Sequence, residues 1–363
     1  MDALILSCGT GGGHNAAARA IQEALEAQGH RAVLMNPYDL RGQKTVELVD
    51  DMYISVAQKS PRTFGFVYRL GDLYRHLPWR SPVYYFQRKT AKALETFLAQ
   101  RHFDVVFCTH VYPGEALTIL KNRGAALPKV IFVATDYACI PFTEETDCDA
   151  YIIPHPDLLE EFQSYGIPAQ KLLPLGIPVS AAFSRDVTRQ QARQALGLDQ
   201  NATYLLLSGG SMGAGVLKKA VKKLYAQWRD RARLIVICGT NDKLYKTLEK
   251  RYGADNSVTL LHSTDQMPLY LRACDLYLTK PGGLSSTEAA VAGVALAHLS
   301  PIPGCETRNA KFFARLGLTV PMDRLEDFQA LAPDIIHRQG SAIPHDAADQ
   351  IAALAADLIA HTP

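Results

Sequence analysis

The chain has 363 residues, 48% apolar and 20% charged, with a net charge of +2. That balance suits a soluble globular protein of roughly two domains, and it excludes a polyanion binder that works through global charge. The seven cysteines form no C-x-x-C pair; reduced, mostly buried thiols and a cytosolic setting are expected, with no metal cluster. No run approaches the ~18 apolar residues of a membrane span, and no basic segment precedes the first apolar run, so neither a signal peptide nor a spanning helix is expected.

Ala3 to Cys8 reads as a strand, followed at once by Gly9-Thr10-Gly11-Gly12-Gly13-His14. Ala16 to Ala27 then reads as a helix closed by Gly29, and Arg31 to Met35 as the next strand. Strand, glycine loop, helix, strand opens a parallel α/β sheet. Between Ser60 and Lys92 the rhythm breaks: seven Arg or Lys meet one acid, Asp72, and eight aromatics interleave. Arg69, Arg75, Trp79, Arg80 and Arg88 carry that mixture. It suits an anionic lipid surface, where aromatics sit at headgroup depth and cations meet phosphates. Single-stranded nucleic acid is one alternative. A helical subdomain with an aromatic core and a solvated cationic face is another.

Strands resume at Asp104–Cys108, Lys129–Ala134 and Tyr151–Ile153, ending at Thr109-His110, Thr135-Asp136 and Pro154-His155. Polar residues just past strand ends lie on the ligand edge of an open α/β sheet. A strand at Leu172–Val179 leads into a Pro-punctuated crossing with a short helix, Thr188–Leu196. The pattern then restarts: a strand at Tyr204–Leu207, a second loop, Ser208-Gly209-Gly210-Ser211-Met212-Gly213-Ala214-Gly215, and a helix from Val216 to Trp228. Further strands fall at Arg233–Cys238, Val258–Leu261, Cys274–Leu278 and Ala295–Leu299, and an amphipathic helix closes the chain from Asp346 to His361. The boundaries expected are an N-terminal acceptor- or membrane-facing domain at 1–180, a donor domain at 181–345, and a last helix at 346–363 returning to the first domain.

Thr279-Lys280-Pro281-Gly282-Gly283 turns a strand into a helix. Free N–H groups at that helix start, with Lys280 beside them, can hold an anion, and Glu288 can accept from two adjacent hydroxyls of a ribose. The alternative is a tight turn capped by Ser285 or Ser286 with a surface Glu. Neither glycine loop is a P-loop, and His14 stands where a dinucleotide fingerprint has its third glycine. A histidine at a helix N-terminus is held neutral by the dipole, as a general base requires; a capping or packing role is the alternative.

These motifs together resemble the diacylglycerol glycosyltransferases, including plant-type monogalactosyldiacylglycerol synthases and bacterial diacylglycerol glucosyltransferases. With the peptidoglycan GlcNAc transferase they share glycosyltransferase family 28 and the GT-B superfamily. The resemblance implies two Rossmann-like domains whose parallel sheets face across a cleft. It implies inverting, metal-independent and cofactor-free transfer of glucose or galactose from a UDP-sugar to the hydroxyl of 1,2-diacylglycerol. The implied setting is peripheral, on the inner face of the cell membrane, with no nucleic-acid partner. His14 would be the base and Asp136 its neighbour near the acceptor, with Gly12 and Gly13 beside them. Gly210, Ser211, Met212 and Gly213 would hold the diphosphate with Lys280, Gly282 and Gly283. Glu288 would hold the ribose, and Glu306 and Asn309 would face the hexose. The chain departs from the family pattern at His262-Ser263, at Cys305 and at Ile140-Pro141-Phe142. A UDP-sugar epimerase or hydrolase of the same fold, or a transferase to another lipid or polyprenyl acceptor, are the competing expectations.

Overall fold

A computed structural model describes residues 1–9, 12–42, 45–46, 68, 70–75, 77, 79–210 and 217–360. Gly11, Arg69, Ser211, Met212 and Gly213 lie outside the described residues, as does the start of the basic-aromatic stretch up to Val67.

The first compact unit comprises Met1–Ala181, Pro303–Cys305 and Asp346–Pro363. Its sheet is built from β1 (Asp2–Leu6), β2 (Arg31–Met35), β3 (Val105–Cys108), β4 (Lys129–Val133), β5 (Ala150–Ile152) and β6 (Leu172–Leu173). The order is β2-β1-β3-β4-β5-β6, and every pairing is parallel. Strands such as Val105–Cys108 are apolar at every position because helices cover both faces, leaving no water-facing side to alternate toward. Only two residues of the expected Leu172–Val179 strand pair. Pro174 and Pro178 have no N–H to give a ladder, and Gly176 has φ 98, so the strand stops.

Helix α1 (Gly12–Ala27) begins four residues earlier than its apolar spacing predicts, taking His14 into its first turn. Its buried face is mostly alanine. That small surface lets the last helix, Ala347–Ala360, pack against it through Ile351, Ala352 and Ala355 in one shared core with Ala20, Ile21 and Leu25. The unit also contains α2 (Pro82–Phe86), α3 (Arg88–Gln100), α4 (Val111–Asn122) and α5 (Leu159–Ser164).

The second unit comprises Ala182–Ile302 and Glu306–His345. Its strands are β7 (Tyr204–Ser208), β8 (Arg233–Ile237), β9 (Val258–Leu261), β10 (Leu276–Thr279) and β11 (Leu296–His298), ordered β11-β10-β7-β8-β9. These pairings are parallel too. Among the described residues seven helices accompany them: α6 (Arg189–Ala195), α7 (Leu217–Trp228), α8 (Asp242–Tyr252), α9 (Met267–Ala273), α10 (Gly283–Ala292), α11 (Cys305–Arg315) and α12 (Phe328–Ala342). The closing helix of the first unit is α13 (Ala347–Ala360). Among the described residues no helix is long and apolar enough to cross a membrane.

Both sheets reverse direction once. In the first unit the chain leaves β1 for β2 and returns to β3 on the other side of β1. In the second it leaves β7 for β8 and returns to β10 on the other side of β7. The loops after the two strands at such a point diverge, and the crevice between them takes ligands.

Candidate active site

His14 follows β1 and His110 follows β3, so the reversal in the first sheet brings the two imidazoles together. Their ring centroids are 4.7 Å apart, edge to face. His14 Nδ1 lies 2.8 Å from the carbonyl oxygen of Thr109 and 2.8 Å from the hydroxyl of Thr135. A carbonyl can only accept, so Nδ1 carries the proton and donates it. Nε2 therefore keeps its lone pair, which is the tautomer a base needs. Burial lowers the pKa of His14, while the charge of Asp136 and the Thr109 carbonyl pull it upward. Asp136, just beyond β4, thus favours the imidazolium that a base becomes after taking a proton.

His110 does different work. Its Nδ1 accepts from the Tyr112 amide at 3.2 Å and caps α4. Burial, and then the neighbouring His14, hold its pKa well below the ordinary value. His155 likewise accepts from the Asp157 amide at 3.1 Å. Of these three histidines past strand ends in the first unit, His14 is the one whose described partners leave a basic nitrogen. Sequence reasoning missed the Thr109 carbonyl, because a backbone oxygen carries no residue signal. It also passed over the Thr135 hydroxyl, which was visible only as part of a Thr-Asp pair.

In the second unit the reversal at β7 brings Gly210 and Lys280 together. Gly210 has φ 73, and a Cβ there would stand 2.7 Å from Lys280 Cε. The conformation favours glycine, and a side chain there would push the end of Lys280 aside. Helix α10 begins after Gly282, with no side-chain cap. Ser285 and Ser286 do not close it: Ser286 instead meets His298 Nε2 at 2.9 Å. The amides at Gly283 and beyond remain a positive helix end next to a lysine. Glu288 lies half-buried in the second turn of α10, further from the helix mouth than spacing alone suggests.

Lys280 Nζ pairs with Glu306 Oε1 at 2.6 Å, and Glu306 Oε2 accepts from the Ile302 amide at 2.9 Å. Asn309, expected beside the hexose, has a contact within the protein. It is fully buried and donates to the Pro281 carbonyl at 3.0 Å. It braces the Lys280–Gly282 turn through the Pro281 carbonyl.

The basic-aromatic stretch divides. Trp79 is 60% exposed, and Leu70, Leu73, Leu77, Tyr85 and Phe86 are also exposed. Arg80 and Arg88 are exposed beside them, lying over the rings of Tyr84 and Tyr85. Arg75, expected on the same surface, is enclosed instead: its side chain has no solvent exposure and is salt-bridged to Glu144 at 2.6 Å. A guanidinium enclosed this way cannot meet a lipid phosphate. Gly12 and Gly13 open α1 just before His14.

Residues 14–179 match the monogalactosyldiacylglycerol synthase family, and residues 204–322 match the C-terminal domain of glycosyltransferase family 28. A processive diacylglycerol beta-glucosyltransferase from Bacillus pumilus is 24% identical over 89% of this chain and 84% of its own. Its namesake from Staphylococcus saprophyticus is 28% identical over 62% of this chain and 57% of its own. Among solved structures, MurG from Acinetobacter baumannii superposes with a TM-score of 0.64 at 17% identity, over 98% of this chain and 99% of that one. The fold is GT-B.

Proposed function

Since the chain belongs to the glycosyltransferase family that joins a monogalactosyldiacylglycerol synthase domain to a family 28 C-terminal domain, we propose that it transfers a hexose from a UDP-sugar to the free hydroxyl of diacylglycerol, with inversion, at a membrane surface. The observation that carries this reading is His14, whose Nδ1 proton is committed to the Thr109 carbonyl at 2.8 Å. In the proposed step Nε2 takes the acceptor's hydroxyl proton. The acceptor oxygen bonds to the anomeric carbon as that carbon's bond to the β-phosphate oxygen breaks, and UDP leaves with the electron pair. Charge gathers on the departing diphosphate, and the amides of α10 with Lys280 are assigned to take it up. Glu288 is assigned to the ribose and Glu306 to the hexose. The step uses no cofactor, and the curated relatives' names favour glucose over galactose.

The exposed Leu73, Trp79 and Phe86 with Arg80 and Arg88 support a lipid-facing role. Aromatic rings and cations in one patch match the interfacial layer of an anionic bilayer. The protein would act there as a peripheral enzyme.

The test is a panel of UDP-sugars with vesicles of diacylglycerol and anionic lipid, products separated by headgroup. His14→Ala should lose transfer by about 100-fold or more, the usual share of a general base, while binding UDP as the parent does. Near-parental transfer by that variant would remove His14 as the base. Rapid consumption of UDP-sugar without lipid would favour an epimerase or hydrolase.

A further inference from the structure

One buried side chain joins the exposed apolar stripe to the loop beside the base. Residues 70–74 are helical. Leu70, Leu73 and Leu77 follow one another at helical spacing and are 51%, 66% and 43% exposed. The other face of that turn is packed. A Cβ on Gly71 would come within 3.3 Å of Pro141, so the turn lies directly on the loop that follows β4.

Arg75 fastens it there. Its Nε and Nη2 donate to the two carboxylate oxygens of Glu144 at 2.9 and 2.6 Å. Nη1 donates to the Cys139 carbonyl at 3.1 Å. The Tyr165 ring covers the guanidinium face at 3.3 Å. The planar fork thus grips the loop at two places, before and after Phe142. Phe142 has φ 74, the only left-handed residue besides glycine among those described. A bulky side chain in that region costs of order 1–3 kcal/mol and persists only where surrounding contacts hold it. The gripped loop begins at Thr135, whose hydroxyl meets His14 Nδ1 at 2.8 Å, and at Asp136, whose charge acts on the same ring. A second fastening runs in parallel: the Ser81 amide and hydroxyl both donate to Glu145, at 2.5 and 2.6 Å.

We propose that Arg75 is a positioning residue that acts through the loop from Thr135 to Glu144 to set His14. The proposal rests on His14 as the base. Nothing in it requires Arg75 to touch lipid, sugar or nucleotide. Among the described residues, the charged and titratable groups that act on the His14 ring are Asp136 on that loop and His110 at the start of α4.

The test compares Arg75→Met and Arg75→Lys in the full chain. Methionine keeps much of the volume and lacks the fork; lysine keeps the charge and cannot bridge Glu144 and Cys139 together. The His14 imidazole is titrated by NMR, with His14→Gln to assign its signals. In Arg75→Met the titration should move toward the ordinary imidazole value, because burial is the largest perturbation of that ring. Transfer kcat should fall on the order of 100-fold, as for a base displaced by about an ångström. Arg75→Lys should recover part of it. UDP affinity and vesicle binding should stay at the parental level. A folded Arg75→Met with lower thermal stability but an unchanged His14 titration and unchanged kcat overturns the proposal. Where Arg75→Met fails to fold, Glu144→Gln removes the same charge pair with little change in volume and is read the same way. Absence of transfer to diacylglycerol by the parent would defeat the functional reading alone, since the His14 titration still decides the role of Arg75.

Discussion

Lys280 and Glu306, each assigned to a different part of the donor, are partners of one another, with Nζ 2.6 Å from Oε1. A lysine has three protons to give, so the pair can open toward a phosphate without the turn rearranging. Removing the negative charge should separate the two roles. Glu306→Gln is expected to bind free UDP at least as tightly as the parent, since Lys280 loses its competing anion. Its kcat should fall about 10-fold or more, the worth of one charge-assisted hydrogen bond of ~1.5–3 kcal/mol. Calorimetry with UDP and steady-state transfer measure the split. A parallel loss of both would show that the pair serves only to hold UDP.

Gly210 admits a methyl group only if the end of the Lys280 side chain moves. Gly210→Ala would force a non-glycine residue to φ 73 and drive Lys280 from its place, because the new Cβ falls 2.7 Å from Cε. The left-handed conformation alone costs roughly 1–2 kcal/mol. UDP affinity should drop about 10-fold or more, with the thermal midpoint lowered by only a few degrees, the worth of about 1–2 kcal/mol in a unit of this size. Unchanged UDP binding by calorimetry would separate Gly210 from the phosphate site.

The pH profile follows from His14. The neutral ring is the active form, and burial lowers its pKa from the ordinary value. Activity should therefore rise with pH and reach half its plateau below about 6.5, the unperturbed imidazole value. Asp136 pulls the pKa upward, so Asp136→Asn should shift that limb to still lower pH. It should also reduce the plateau, because the imidazolium formed in the step loses a favourable charge. kcat/KM measured from pH 4 to 8 checks both, and a limb above 6.5 in the parent would contradict the assignment.

The two sheets were readable because each strand is an apolar run with a glycine or polar residue at its end, and parallel strands buried on both faces leave that mark. β2 and β9 were placed to the residue. The Leu172–Val179 run misled because apolar content does not report whether the N–H groups needed for a ladder exist. The candidate base was legible from His14 at a helix start. Its tautomer was not, since it depends on the carbonyl of Thr109, ninety-five positions away in the chain. Arg75 shows the limit most plainly. Its charge looks the same in the sequence as that of Arg88, and only the fold tells that Glu144 and Tyr165 enclose one while the other stands in solvent.

That difference predicts which cations hold a membrane. Arg88 is exposed beside Tyr85, and Arg80 is exposed while donating once to the Glu145 carbonyl at 2.9 Å. Neutralising each should weaken binding to anionic vesicles by about 1 kcal/mol, near 5-fold. Raising the salt should shrink the effect as the surface potential is screened. Trp79→Ala should weaken binding in neutral vesicles as well, because its ring contributes area and not charge. Substituting Arg75 should leave sedimentation with vesicles unaltered. If Arg75→Met lowers vesicle binding as much as Arg88→Met, the apolar stripe has come off with the buried clasp, and the two faces of that turn are not independent.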